Sequence, residues 1–137
     1  MMGTKRKEHW GDAFMEQCTQ LIGHVSARVI SLLGLPLEEN QPIFLGCSNI
    51  AHMQSRHPAD YNKYGAYIPM ILKNPDYVGK NPKDDFIEYV KEFQIDGEYV
   101  KVAVRLSGGG KLYARSVYIL NPNRVQNFIR KGTLKKV

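Results

Sequence analysis

The chain has 137 residues, of which 43% are hydrophobic, and its formal net charge is +6. This length suits one hydrophobic core, so we expect a single domain over residues 1–137. No apolar run approaches the roughly 18 residues that a membrane-spanning helix needs, and the charged N-terminus lacks the apolar stretch of a secretory signal. Both features favour a cytoplasmic protein with no membrane association.

The positive charge is concentrated near the C-terminus. Residues 98–137 contain nine Lys and Arg side chains and one acidic residue, whereas residues 1–97 contain ten basic and twelve acidic ones. This asymmetry is typical of a surface that binds a polyanion such as nucleic acid, the alternative being charge that serves only solubility. The basic side chains expected to contact a nucleic acid are Arg56, Lys63, Lys73, Lys101, Lys111, Arg124, Arg130 and Lys131.

The first predicted element is an amphipathic helix over residues 12–33. Apolar side chains recur there at three- and four-residue steps, Asp12 can cap the start, and Gly34 with Pro36 would end the helix. His9 and His24 fall in this region and are not assigned to chemistry. The apolar run PIFLGC that follows predicts a short buried strand.

The two cysteines, Cys18 and Cys47, are 29 positions apart. They match neither a CxxC metal motif nor a dense disulfide framework, so we expect two reduced and mostly buried thiols. A catalytic thiolate at Cys47 is the alternative, and it needs a base held close to the sulfur.

Two short helices are predicted next. Ser48 or Asn49 can cap a helix with the sequence IAHMQSRH, which Pro58 would terminate. Asp60 can cap a second helix, YNKYGAYIPMILK, in which Pro69 predicts a kink or an early start of the last turns.

The rest of the chain changes to the two-residue period of strands. A meander of three antiparallel strands is predicted at about 84–93, 98–107 and 111–120, with DG and GGG at its turns. Asn121 and Pro122 open a last helix, NRVQNFIRK, which ends at Gly132. This order predicts an α+β domain, with helices packed on an antiparallel sheet of about four strands.

Alternation separates two faces of the second meander strand. Val100, Val102, Val104 and Leu106 form the core side, whereas Lys101 and Arg105 lie on the polar side and form a platform suited to phosphates. On the third strand Arg115 is in phase with Val117 and Ile119, so the faces separate only if a bulge interrupts the strand.

The stretch HMQSRHPADYNKY combines groups that exchange protons with groups that hold anions. His52 and Arg56 share a helix face, and His57 lies at the helix end, where its ring has more freedom. This arrangement suits a metal-free ribonuclease. In such an enzyme one imidazole takes the proton of a ribose 2′-hydroxyl, and another group protonates the leaving 5′-oxygen. Arginine or lysine stabilises the phosphorane, and the product is a 2′,3′-cyclic phosphate.

Two alternative roles stay open for these histidines. They could be metal ligands, although their spacing is not HExxH and Asp60 is the only carboxylate nearby, so we expect no metal and no cofactor. They could also lie on a helix edge with no role. The nearby tyrosines Tyr61, Tyr64 and Tyr67 favour core packing, with stacking on a base as the alternative.

The combination of IFLG, HMQSRHP, a helix ending ILKNPDYV and a meander closing in LYARSVYIL resembles a group of phage and mobile-element nucleases. That group joins barnase, EndoU, the colicin-type transfer RNA nucleases and RelE (the BECR nucleases). The resemblance covers about residues 43–120, and it leaves the predicted helix 12–33 and the basic C-terminal segment 122–137 as flanking parts.

The resemblance implies helices on a four-stranded antiparallel sheet, with metal-independent RNA cleavage on the open face of the sheet. The residues to which it points as catalytic are His52, His57, Arg105, Arg115, Ser116 and Tyr118. We therefore expect an endoribonuclease of transfer RNA or another structured RNA. Several members of the group are toxins checked by a dedicated inhibitor protein, so a toxin role, an inhibitor partner and delivery within a larger toxin or phage protein are further expectations.

Two alternatives come from other functional classes. A non-catalytic RNA- or DNA-binding module needs only the basic C-terminal third and predicts salt-sensitive binding that does not depend on the histidines. The second alternative is a protein-interaction domain of a mobile element, whose basic surface would bind an acidic partner.

Overall fold

The structure is a computed structural model that describes residues 18–81, 83–107 and 109–137. His9, Asp12 and the first part of the helix predicted over residues 12–33 lie outside these ranges. Within them, no helix is long and apolar enough to cross a membrane.

A mixed sheet of seven strands runs through the described residues, with short helices between its strands. The strands are β1 Gln20–His24, β2 Pro42–Leu45, β3 Tyr77–Lys80, β4 Phe86–Phe93, β5 Glu98–Leu106, β6 Leu112–Leu120 and β7 Leu134–Lys136. The helices are α1 Ala27–Leu33, α2 Cys47–Arg56, α3 Pro58–Tyr64, α4 Ile68–Lys73 and α5 Pro122–Lys131, and a 3₁₀ turn, Gly65–Tyr67, joins α3 to α4.

The predicted meander β4-β5-β6 forms the centre of the sheet, whose strand order is β1-β2-β6-β5-β4-β3-β7. The prediction of about four antiparallel strands is wrong in two respects. The sheet has seven strands, and β2 pairs with β6 in parallel. The additional strands β1, β3 and β7 are three to five residues long. Such short strands leave little periodic signal in a sequence, and they form because neighbouring strands satisfy their hydrogen bonds.

Residues 20–24 form β1 where the sequence predicted the middle of a helix. β1 pairs antiparallel with β2, so this pairing outweighs the helical spacing of its apolar residues. The helix starts only at α1, where Ser26 accepts a hydrogen bond from the Val29 N–H at 3.1 Å and caps the first turn. Its end at Gly34, which has a left-handed φ of 60°, is as predicted.

Cys18 and Cys47 form a disulfide, so the prediction of two reduced thiols is wrong. Both residues are half-buried, and their Cα atoms are 5.4 Å apart, within the usual disulfide range. The cause is the β1–β2 register: Gln20 lies opposite Leu45, and continuing that antiparallel register brings Cys18 opposite Cys47. The oxidised pair has no thiolate, which excludes the alternative of a catalytic Cys47 in this form.

The helices α2 and α3 meet at His57, which ends one helix and caps the next. α2 begins at Cys47 rather than after Ser48, and the Asn49 side chain reaches back to accept a hydrogen bond from the Gly46 N–H at 2.9 Å. Pro58 ends α2, as predicted, and is the first residue of α3 because its missing N–H costs nothing there.

The predicted helix YNKYGAYIPMILK is two helices, α3 and α4. Asp60 does not cap α3, because this helix already starts at Pro58 and Asp60 lies in its first turn. The break falls at the 3₁₀ turn, and Pro69 lies in the first turn of α4, which agrees with the predicted early start of the last turns.

Two clusters of buried side chains lie on opposite faces of the sheet. The larger packs α1 to α4 against the core side of the meander, with Met53, Ile71 and Val102 among its fully buried members. The smaller packs α5 across part of the other face, around Val90 and Val125. As predicted, α5 begins after its cap Asn121 and ends at Gly132.

A candidate active site on the open face of the sheet

We call the side of the sheet opposite α2, α3 and α4 the open face. Residues paired across neighbouring strands point to the same side, so the register defines rows of side chains. One row holds Val90, Lys101 and Tyr118, the next holds Glu88, Ala103 and Ser116, and the third holds Phe86, Arg105 and Tyr113. α5 covers the end of the face at the first row, and among the described residues none of the Arg105 row packs against it.

A β-bulge in β6 resolves the ambiguity that the sequence left on this strand. The register shifts so that Ala103 pairs with Ser116 while Val104 pairs with Ala114. Arg115 is therefore the extra residue, and it lies beside Ser116 opposite a single residue of β5. Ala114 and Val117 are both fully buried on the core side, so the bulge places Arg115 and Ser116 together on the open face.

An ion pair at the centre of the open face joins two neighbouring strands. Lys101 Nζ donates to Glu88 Oε2 at 2.5 Å, and the two side chains are only 15% and 13% exposed. Burial by itself would lower the pKa of Lys101, but hydrogen bonding to Glu88 and to Tyr118 raises that pKa above its ordinary value. Lys101 is therefore a fixed positive charge at neutral pH.

Tyr118 lies between His57 and this ion pair and contacts both His57 and Lys101. The His57 ring stacks on the Tyr118 ring with centroids 5.0 Å apart, and Lys101 Nζ lies 4.7 Å from the centroid of the same tyrosine ring. The α2–α3 junction is held there because the Ile119 N–H, at an edge of β6, donates to Asp60 Oδ2 at 3.1 Å. An exposed imidazole, a tyrosine hydroxyl and a fixed ammonium thus meet at one place on the sheet.

The remaining predicted catalytic residues are distributed around this centre. Ser116 and Arg115 lie one row away on β6, and Arg105 is exposed, with its guanidinium 5.5 Å from the Phe86 ring centroid. His52 is exposed on α2 and makes no hydrogen bond, ion pair or ring contact with any described residue. The structure therefore brings His57 to the open face together with the strand residues, but gives His52 no contact there.

Seven of the eight basic residues predicted to contact nucleic acid fall into two groups. Lys101, Lys111 and the α5 side chains Arg124, Arg130 and Lys131 belong to β5, the β5–β6 turn and the helix on the open face. Lys63 and Lys73 lie on α3 and α4, which cover the other face, and Lys63 is paired with Glu98 at 2.5 Å and Asp96 at 3.5 Å. Arg56, in the last turn of α2, is exposed.

Glu88 is a residue of this centre that was not predicted from the sequence. The signal was present, because the DG turn and the alternation of the two strands fix a register in which Glu88 lies opposite Ala103, between Arg105 and Lys101. A carboxylate in that position can form an ion pair with a lysine or arginine on the polar face of β5.

Metal-ligating groups do not converge in the part of the chain that the structure describes. No three His, Cys, Asp or Glu side chains there are close enough to share a metal ion. The chemistry available at the open face is proton exchange at His57 and Tyr118 and charge stabilisation by Lys101 and the neighbouring arginines.

Comparison with known families gives one match. The family model described as phage-Barnase-EndoU-ColicinE5/D-RelE like nuclease3 matches residues 20–127, which include the whole meander and most of α5. No significant match was found among curated proteins or among solved structures.

Proposed function

Because the chain belongs to the phage-Barnase-EndoU-ColicinE5/D-RelE like nuclease3 family, we propose that it is a metal-independent endoribonuclease with its active site on the open face. The substrate in this proposal is transfer RNA or another structured RNA. The observation that carries the proposal is the stacking of His57 on Tyr118, 5.0 Å apart, beside the largely buried Glu88–Lys101 ion pair.

In the proposed reaction His57 is the general base. Its imidazole takes the proton of the ribose 2′-hydroxyl, whose oxygen then attacks the adjacent phosphorus. Imidazole is the side chain that most often acts as a general base near neutral pH, which is what this step requires. Because the ring is exposed and stacked on Tyr118, it can meet a substrate that lies on the sheet.

Cations of the open face would stabilise the negative charge that develops on the phosphorane. Lys101 is held in place by Glu88 and stays protonated, so it needs no reorganisation during the reaction. Arg105 and Arg115 make no ion pair with a described residue, which leaves their charges free for phosphate oxygens. The Ser116 hydroxyl is a further donor one row away.

Departure of the 5′-oxygen needs a proton, and Tyr118 is the neighbouring O–H donor. Transfer of its proton to the leaving oxygen breaks the P–O bond and leaves a 2′,3′-cyclic phosphate and a new 5′-hydroxyl. The imidazolium of His57 then returns its proton to the tyrosinate, directly or through water, so both groups regain their starting states.

The two histidines provide a matched test of this proposal. Purified protein is incubated with total RNA in EDTA, and the fragments are analysed for cyclic phosphate ends. His57→Ala is expected to lower the cleavage rate by about 10²- to 10⁴-fold, the usual contribution of a general base. His52→Ala, the control, should keep the rate within a few-fold of the unsubstituted protein.

Equal activity of His57→Ala and His52→Ala would refute the role of His57. Absence of cleavage by the unsubstituted protein, together with salt-sensitive RNA binding in both variants, would favour the non-catalytic binding module instead. A toxin role, a cytoplasmic site of action and a dedicated inhibitor belong to the same proposal, and an inhibitor that blocks cleavage would need acidic groups to match the cations of the open face.

A further inference from the structure

A row of aromatic side chains crosses the uncovered end of the open face. Phe44 of β2 pairs with Tyr113 of β6, Tyr113 with Arg105 of β5, and Arg105 with Phe86 of β4. We call these four residues the aromatic row. The Phe44 and Tyr113 rings are in contact, with centroids 6.0 Å apart, and Leu21 of β1 extends the row at its outer end with 55% of its surface exposed.

The aromatic row is not part of either hydrophobic core. Ile43 and Leu45, the strand neighbours of Phe44, are buried on the other side of the sheet, and α5 covers a different cluster around Val90 and Leu120. Phe44, Phe86 and Tyr113 are each partly exposed in the part of the chain that the structure describes. A contiguous apolar patch of this kind is a common feature of binding surfaces.

Cations lie directly over the rings of the row. Lys111 Nζ is 5.8 Å from the Phe44 ring centroid, and the Arg105 guanidinium is 5.5 Å from that of Phe86. Neither cation makes an ion pair with a described residue, so their charge is not neutralised. Rings with free cations in contact are a surface on which unpaired nucleic acid can bind. A base would take the place of the cation over a ring, and the flexible Lys111 or Arg105 side chain would then meet a neighbouring phosphate.

The row is also continuous with the candidate active site. Arg115 and Ser116 lie in the next row of the same face, about 6–7 Å away along the strands. A single strand whose scissile phosphate is held between Lys101 and Arg115 would therefore bring a neighbouring base over Tyr113 or Phe86. The bases of a duplex are stacked on one another and cannot reach the rings.

We propose that the aromatic row is a base-stacking subsite that restricts the substrate to unpaired RNA segments next to the cleaved bond. This inference rests on the proposed ribonuclease activity for its role in catalysis, but its binding can be measured without any cleavage. A labelled 2′-deoxy oligonucleotide serves this purpose, because it lacks the attacking hydroxyl.

The test compares the affinity of the full-length protein for three ligands by fluorescence anisotropy. These are a single-stranded 2′-deoxy oligonucleotide, an abasic strand with the same number of phosphates, and the corresponding duplex. The single strand is expected to bind at least about 5-fold more tightly than the abasic strand, as one stacked base provides. Phe44→Leu and Phe86→Leu should each reduce this preference and leave abasic binding unchanged.

Tyr67→Leu is the matched control, because Tyr67 is 46% exposed and lies with Tyr64 and Phe93 on the helix side of the sheet. Equal binding of the single and abasic strands by the unsubstituted protein would overturn the proposal without any variant. Leucine variants that bind like the control would also overturn it, because the base preference would then arise elsewhere on the protein. Base-dependent binding without RNA cleavage would refute the ribonuclease proposal and leave the subsite standing.

Discussion

His52 and His57 come from the same short stretch of sequence but have different surroundings in the structure. His57 is at the junction of α2 and α3, which the Asp60–Ile119 hydrogen bond fixes to an edge of β6. His52 is five residues earlier, in α2, and is exposed. Spacing alone made both histidines candidates, whereas the position of the helix beside the sheet separates them.

The Glu88–Lys101 pair allows a prediction about stability at the scale of single residues. Both side chains are largely buried, so removal of one partner leaves an uncompensated charge. Glu88→Gln and Lys101→Met are each expected to lower the free energy of unfolding by about 3 kcal/mol, and the double variant by less than the sum. Urea unfolding of the four proteins measures this coupling, and additive losses would show that the two charges do not interact.

At the scale of elements, α3 is tied to β5 by polar contacts at one end of the sheet. Glu98 accepts hydrogen bonds from Lys63 Nζ at 2.5 Å and from the Tyr64 hydroxyl at 2.6 Å. The Lys63 bond first, and then the Tyr64 bond, lower the pKa of Glu98. Burial, with the Glu98 bond as a second cause, raises the pKa of Tyr64 to about 12.

This network predicts how stability depends on pH. Since the pKa of Glu98 is lower in the folded protein, its contribution is present above the unfolded value of about 4.3 and is lost as pH falls through the folded pKa. Glu98→Gln should therefore be less stable than the unsubstituted protein at pH 7, and the difference should shrink below about pH 4. Thermal unfolding across this range tests the prediction, which a constant difference at all pH values would contradict.

The disulfide between Cys18 and Cys47 links the segment before β1 to the start of α2. In the chain-entropy view, a closed loop of this length restricts the unfolded state by about 3–4 kcal/mol. Reduction, or the Cys18→Ser/Cys47→Ser variant, is expected to lower the free energy of unfolding by about 2–4 kcal/mol. Denaturant unfolding with and without reductant measures the effect, and the double-serine variant should be insensitive to reductant.

At the scale of the whole molecule, charge and shape together define the proposed nucleic-acid surface. The basic C-terminal third includes α5, which lies on the open face, whereas Lys73 lies on α4 across the sheet. Charge asymmetry was visible in the sequence, but the side on which each cation lies was not. The sequence therefore could not separate Lys63 and Lys73 from the α5 cations.

The two faces should therefore differ in salt dependence. Neutralising Arg124, Arg130 and Lys131 together to Gln is expected to reduce the slope of log K against log salt by about 2 for a single-stranded oligonucleotide, if each contacts one phosphate. Lys73→Gln, on the other face, should leave the slope unchanged. Anisotropy titrations at several salt concentrations give both slopes, and an equal change in the two proteins would argue against binding on the open face.

The sequence by itself determined the centre of the fold. The two-residue period predicted β4, β5 and β6 within two residues, and Asn121, Pro122 and Gly132 bounded α5. The phase of Arg115 left the two faces of β6 ambiguous, and only the register with β5 showed the bulge. These features are local, since side-chain alternation, caps and turns act within a few residues of chain. The motifs also identified the nuclease group, and the family match over residues 20–127 agrees with that identification.

Only the tertiary structure decided which elements pair and which side chains meet. The strand β1 and the disulfide depend on the register with β2, and the parallel β2–β6 pair joins segments far apart in sequence. The same long-range pairing assembles the aromatic row from four strands, and packing of the α2–α3 junction joins His57 to Tyr118. The physical reason is that strand pairing and packing between distant segments carry free energies that no local pattern contains.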